Sequence, residues 1–446
     1  MKKSYILLIA SAATLAIASC KSKIEPDAPS AGNANFSTYV AIGNSLTAGF
    51  ADGSLYRSGQ ENSYPSMLAG QFKMVGGGDF KQPLLPGESG WPIAPAAGRF
   101  PKRVLGLSTD CLGATSLSPV LFPGIPDTAG SAMSIASGGP YNNVGIPGIR
   151  CIDFGFAGYG LLNPYAGRFF SNPALQKPLE VALQPIPTFF TMWLGSNDVL
   201  GYATSGGEGA VGGIGLSDIS PQAAFKATYD ASVGALVSQG AKGVLINIPD
   251  VTTIPYFTTI NPRGLNLSAT QAAQLTGAYA LAGLPHITFT EGLNYFVGTD
   301  AAGIPRKLKA GDYIILTTPG DSLKCGGWGS LKPIPKKYVL TEEEVANVKT
   351  ATSAFNQIIS DNAAKYGLGL MDANAYMKSL QSGITWNGVT YSPTFVTGGA
   401  FSLDGVHLTP RGYALVANEI IRVINQTYQS SIPGVDINKY GGIRFP

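Results

Sequence analysis

Two short segments near opposite ends of the sequence hold side chains suited to one reaction. In the first, an apolar run, Tyr39-Val40-Ala41-Ile42, breaks at Gly43-Asn44 and delivers Ser45. In the second, Asp404 stands three residues before His407. A hydroxyl, an imidazole and a carboxylate are the nucleophile, general base and orienting acid of acyl transfer. The chain has only two histidines. His286, in Leu284-Pro285-His286-Ile287, has no acid beside it and is expected to be structural, which leaves His407 as the base. A tight loop at the Asp404–His407 spacing lets the carboxylate reach Nδ1 and fix the tautomer, so that Nε2 can take the Ser45 proton. Taken singly, Ser45 could cap a helix and His407 could satisfy backbone near Thr409.

Acyl transfer also needs two or three N–H donors for the developing oxyanion, each worth about 2.7–4 kcal/mol. Leu194-Gly195-Ser196-Asn197-Asp198 offers the Asn197 side-chain amide, and Asn142-Asn143-Val144-Gly145-Ile146-Pro147-Gly148 offers a glycine N–H on a turn. Each is an ordinary turn sequence if isolated. The Ser45 N–H would be the third donor.

These four segments, in this order, resemble the SGNH hydrolase superfamily, often called GDSL esterases and lipases. Gly43-Asn44-Ser45-Leu46 is similar to the first block of that family, Gly-Asp-Ser-Leu, with Asn in place of an Asp that is not a triad member. Gly195-Ser196-Asn197-Asp198 matches Gly-x-Asn-Asp, and Asp404-Gly405-Val406-His407 matches Asp-x-x-His. The second-block glycine maps to Gly145, with Gly148 and Gly155 close enough to compete. The resemblance implies a catalytic triad of Ser45, Asp404 and His407 and an oxyanion hole of Ser45, Gly145 and Asn197. It further implies no cofactor, and a three-layer α/β/α sandwich with a central parallel sheet of about five strands.

The elements that must position these residues can be read independently. Tyr39 to Ile42, Thr188 to Leu194, Val244 to Ile248 and Leu368 to Met371 read as short buried strands. Tyr64 to Phe72, Phe225 to Gln239 and a segment from the capping box Thr341-Glu342-Glu343-Glu344 to about Lys365 read as helices. Thr409 caps a last helix with Pro410 at its first position. Strands alternating with helices predict a parallel α/β sheet covered on both faces, with ligands beyond the carboxyl ends of the strands. Ser45, Asn197 and the Asp404–His407 loop can all reach that edge.

Of 446 residues, 45% are hydrophobic, enough for a sizeable core, and only 13% are charged, against about 25% in an average domain. The 57 Gly and 31 Pro predict long loop insertions, placed near 76–140, 201–220 and 252–339 and expected to wall a substrate cleft. Net charge is +3 without a Lys/Arg cluster, which argues against nucleic acid as a partner. No His/Cys spacing suggests a metal site.

Met1-Lys2-Lys3 followed by an apolar stretch from Ile6 to Ile17 reads as a signal peptide, 1–19. Ala18-Ser19 before Cys20 resembles a bacterial lipoprotein signal, which implies lipid on Cys20, a flexible tether over 20–36 and a single hydrolase domain over 37–446. The expected address is the cell envelope, at the outer membrane. Beyond Cys20, the cysteines Cys111, Cys151 and Cys325 allow one disulfide and one free thiol, with all three pairings open. The expected function is a serine carboxylester hydrolase, esterase- or lipase-like, acting through an acyl-enzyme on Ser45. Tyr- and Trp-lined clefts also suit sugars, so a carbohydrate esterase removing acetyl groups from glycans is the second expectation. A non-catalytic surface binding lipoprotein is the third.

Overall fold

In the computed structural model, which describes residues 28–91, 101–124 and 129–445, five short strands make one parallel sheet. They are β1 (Tyr39–Gly43), β2 (Asn143–Gly145), β3 (Phe189–Trp193), β4 (Lys242–Ile246) and β5 (Gly369–Met371), in the order β5-β4-β3-β1-β2. β1 and β3 are buried along their whole length, as a sheet covered on both faces requires. The helices that cover it are α2 (Tyr64–Phe72), α4 (Gln222–Ser238), α5 (Glu342–Tyr366), α6 (Ala373–Gln381) and α7 (Pro410–Tyr428), preceded or interleaved by the shorter α1 (Ser45–Ala48) and α3 (Asn197–Thr204). Here α2 packs with α7, and α4 packs with α5. Aromatic side chains make both joints: Phe72 and Tyr428 close on Phe189, while Phe225 stacks on Phe355 at 4.1 Å. This is the expected three-layer α/β/α arrangement.

The two helix starts marked by Thr341 and Thr409 fall where the sequence places them. Thr341 Oγ1 accepts from Glu344 N while Glu344 Oε2 accepts from Thr341 N, closing the capping box that opens α5. Thr409 Oγ1 accepts from Gly412 N at the start of α7, with Pro410 in the first turn. α4 begins earlier than expected, directly after Pro221, and β4 starts at Lys242 rather than Val244. β2 corrects the expectation of a turn at Asn142–Gly148: Asn143, Val144 and Gly145 pair in parallel with β1 as an edge strand. The expected signal peptide and the lipidated Cys20 lie outside the described residues. The expected tether reaches into them, and there residues 30–36 are docked rather than loose. Ser431 N donates to Ser30 O, Asn33 N donates to Tyr428 O at 2.7 Å, and Phe36 is buried against Phe72.

The insertions carry more order than their composition suggested. Residues 103–109 and 115–121 form a two-stranded antiparallel ribbon. Its tip is bonded to the third insertion by the disulfide Cys111–Cys325, and Asp110 pairs with Lys324 beside it. Cys151 is the free, buried thiol. The 252–339 insertion encloses two small cores of its own, one around Leu267, Leu275, Tyr279 and Phe289 and one around Leu308, Ile314, Ile334 and Val339. Insertion 201–220 is folded around Asp218, whose carboxylate accepts from Ala210 N and Gly215 N.

The Cys111–Cys325 bond joins positions 214 residues apart in the chain. Replacing both cysteines by serine should lower stability by about 2–4 kcal/mol, read from urea unfolding of the oxidised protein and the double variant.

Candidate active site

The sheet register sets the site. Gly43 lies level with Trp193 on one side and Gly145 on the other, so the segments after β1, β2 and β3 emerge together at the carboxyl edge. After β1, Asn44 turns the chain and caps α1, its Oδ1 accepting from Leu46 N at 3.0 Å. This puts Ser45 at the first helical position, where its N–H has no partner among the described residues. Ser45 is buried, and its Oγ lies 2.8 Å from His407 Nε2. His407 Nδ1 lies 2.8 Å from Asp404 Oδ2. An ionised Asp404 takes the Nδ1 proton as its hydrogen bond, so Nε2 is the acceptor for the Ser45 hydroxyl.

Asp404 is held at both oxygens. Oδ2 also accepts from Gly53 N at 2.8 Å, and Oδ1 accepts from Ser402 Oγ, Val406 N and His407 N. Burial alone would raise the pKa of this carboxyl. The electrostatic pull of the His407 ring beside it and the hydrogen bonds from that ring, the His407 backbone and Val406 outweigh burial and hold the acid well below the usual carboxylate range. Gly405 between them has φ +72°, and a Cβ there would meet Leu316 and the Tyr256 backbone. Tyr256 N donates to Gly405 O, so the third insertion packs directly on the Asp404–His407 loop.

Asn197 begins α3 at the same edge. Its Nδ2 donates to Ile149 O at 2.9 Å, which orients the amide and leaves one N–H over. Gly145 does not fill the role expected of it. Its N–H is spent on Asn143 Oδ1 at 2.9 Å inside β2, and a Cβ on it would fall 2.3 Å from Ala48 N and 2.7 Å from Thr47 C. Gly145 is therefore the point where β2 touches the backbone of α1. Gly148, in the turn beside Ile149, has φ +84° and an N–H without a partner among the described residues.

A family model described as GDSL-like Lipase/Acylhydrolase matches residues 39–420. The chain belongs to this family. Among solved structures, the extracellular lipase from Streptomyces rimosus matches with a TM-score of 0.33 and 13% identity, over 87% of this chain and 98% of that one. No curated protein matches. As a member of the GDSL-like lipases and acylhydrolases, the protein is a hydrolase acting on ester bonds.

Residues that the sequence did not single out support this GDSL-like site. Asp52 Oδ1 accepts from Leu403 N, its Oδ2 accepts from Tyr56 Oη, and its own N–H donates to Ser402 Oγ. Burial raises its pKa against the pull of these bonds. Asp198 is fully buried next to Asn197. Its Oδ2 accepts from Cys151 N at 2.6 Å, and Ser220 and the Ile152 backbone also bear on the carboxyl. Asn197 and Asp198 thus grip Ile149 and Cys151, on either side of Arg150. Only the Asp of Gly-x-Asn-Asp hinted at this second contact; nothing in the sequence marked Asp52.

Two outcomes follow from these contacts. Burial pushes the Asp198 carboxyl from 3.8 up to about 7, although the Cys151 N–H bond pulls it down. The native state therefore keeps a proton that the unfolded chain has released, and wild type loses stability as pH rises from about 4 to about 7. Asp198→Asn stays neutral, so its melting temperature relative to wild type should climb through that range and level off above it. Gly145→Ala drives a methyl into backbone and should cost at least about 1–3 kcal/mol, measured by thermal unfolding.

Proposed function

We propose that the protein hydrolyses carboxylic esters through an acyl-enzyme on Ser45. The observation that carries this is the unbroken buried relay Ser45 Oγ–His407 Nε2, His407 Nδ1–Asp404 Oδ2, with 2.8 Å at each step. His407 takes the Ser45 proton as Oγ attacks the ester carbonyl, and Asp404 stabilises the imidazolium. The oxyanion is met by the Ser45 N–H and the free N–H of Asn197, with the Gly148 N–H as third donor in place of Gly145. Collapse of the tetrahedral intermediate breaks the C–O bond, and His407 protonates the departing alcohol. Water then enters, His407 deprotonates it, and the acid is released with Ser45 restored.

The cavity at Ser45, of about 40 Å³, is lined beside the polar groups by Leu46, Leu200, Val251, Ile254 and Val406. That lining favours an apolar acyl group over the acetylated glycan of the second expectation. An intact relay also speaks for catalysis over a binding scaffold. Anchoring through lipid on Cys20 at the outer membrane remains part of the proposal, resting on the leader sequence alone.

The test is hydrolysis of p-nitrophenyl butyrate. Ser45→Ala should fall to background while keeping the wild-type melting temperature. Asn197→Ala should lose about 10²–10³ in kcat. Undiminished turnover by Ser45→Ala would overturn the proposal.

A further inference from the structure

Behind Ser45 lies a second cavity, of about 80 Å³, between the carboxyl edge of the sheet and helices α6 and α7. Leu46, Pro249, Ile254 and Val406 line both this cavity and the one at Ser45, so the two meet at these four side chains. Leu46 and Val406 are the chain neighbours of Ser45 and His407. Beyond that neck the walls are Met371 at the end of β5, Ala373, Met377 and Leu380 on α6, and Leu415 and Val416 on α7.

The polar atoms nearby are already committed. Trp193 Nε1 donates to Asn247 O at 3.1 Å, and Tyr376 Oη donates to Leu415 O at 3.3 Å. A sugar or peptide placed here would lose its water hydrogen bonds with nothing in return, whereas a hydrocarbon loses none. An unfilled apolar cavity also costs stability, because its lining lacks partners on one side. Met371 and Met377 supply unbranched, adaptable side chains at the wall, suited to close around chains of differing length.

We propose that this cavity is the acyl pocket, holding the aliphatic chain of the ester bound to Ser45, and that Met371, Met377 and Leu380 limit the chain length accepted. This rests on the acyl-enzyme reading of Ser45. The chain enters past Leu46 and Val406, and the carbonyl stays between Ser45 Oγ and the oxyanion donors. The substrate class is then esters of short to medium aliphatic acids. Ala373, in the first turn of α6, contributes the smallest side chain that α6 adds to the pocket wall.

The experiment is kcat/KM for p-nitrophenyl acetate, butyrate, octanoate and palmitate, measured on wild type, Ala373→Leu and Met377→Ala, with Ser45→Ala as background. Wild type should prefer butyrate or octanoate to acetate. Ala373→Leu should lower octanoate at least about tenfold, the scale of a lost methylene fit, with acetate unchanged. Met377→Ala should shift the optimum to longer chains, and it keeps the test decisive if Ala373→Leu fails to fold. Ser45-dependent hydrolysis with the same chain-length profile in both variants would overturn the pocket while leaving the acyl-enzyme standing. No Ser45-dependent hydrolysis of any ester by wild type would overturn the acyl-enzyme reading, and the pocket with it.

Discussion

A carboxylate taken out of water costs several kcal/mol unless its lone pairs are met inside the protein, and the Asp404 side chain keeps only 9% of its surface exposed. Its hydrogen bonds come from two distant parts of the chain. Ser402, Val406 and His407 belong to its own loop, and Gly53 belongs to the turn just after α1. Because Gly53 N and His407 Nδ1 meet the same oxygen, the loop following Ser45 and the loop carrying His407 are joined at one atom. Asp52 makes a second join, accepting from Leu403 N and donating its own N–H to Ser402 Oγ. Two neighbouring acids on two loops thus lock a relay whose members are 362 residues apart. The four-residue length of α1 matters here: a longer helix would carry Asp52 and Gly53 away from the loop they bind.

How much of this was legible depends on whether the physical signal is local. Thr341 and Thr409 announce their helices because a side-chain cap is a contact within one turn. β1 announces itself as an apolar run and β3 as one broken only by Thr191. The meeting of Ser45, His407 and Asp404 was legible because only one histidine follows an acid by three residues. α3 was missed because its eight residues begin inside a Gly-Ser-Asn-Asp stretch that reads as a turn. β2 was missed because three residues at a sheet edge carry no period. Gly145 was misassigned for a related reason. A glycine needed for a backbone to approach a helix and a glycine offering a free N–H look alike in sequence, and only the bond to Asn143 Oδ1 separates them. The Cys111–Cys325 pairing and the small cores of the third insertion are products of long-range contact, to which composition is blind.

The Asn197 side of the site is held differently from the relay side. Asn197 fixes Ile149 through its amide, and Asp198 fixes Cys151 through its carboxyl. Arg150 between them is buried and points the other way, pairing with Asp153 and donating to the carbonyls of Ile214 and Gly215. Insertion 201–220 is thereby fastened to the back of the turn that carries Gly148. The donor geometry rests on backbone gripped from both sides, which costs little reorganisation when charge develops. An insertion that looked like a wall of the cleft is part of the frame behind it.

Polar frame and apolar floor also act on each other. The relay works through charge interactions whose strength rises as water is excluded. Leu46 and Val406 are the chain neighbours of Ser45 and His407 and line both cavities, and in the proposed acyl pocket they form its neck. A hydrocarbon chain seated past that neck would replace solvent next to the imidazole with methylene groups. Binding energy from a part of the substrate remote from the reacting bond would then strengthen the interactions made at the carbonyl, which is how remote contacts raise turnover rather than affinity alone. An acetyl ester, too short to reach the neck, would leave the relay wetter and its oxyanion less well held, so chain length should register in kcat as well as in KM.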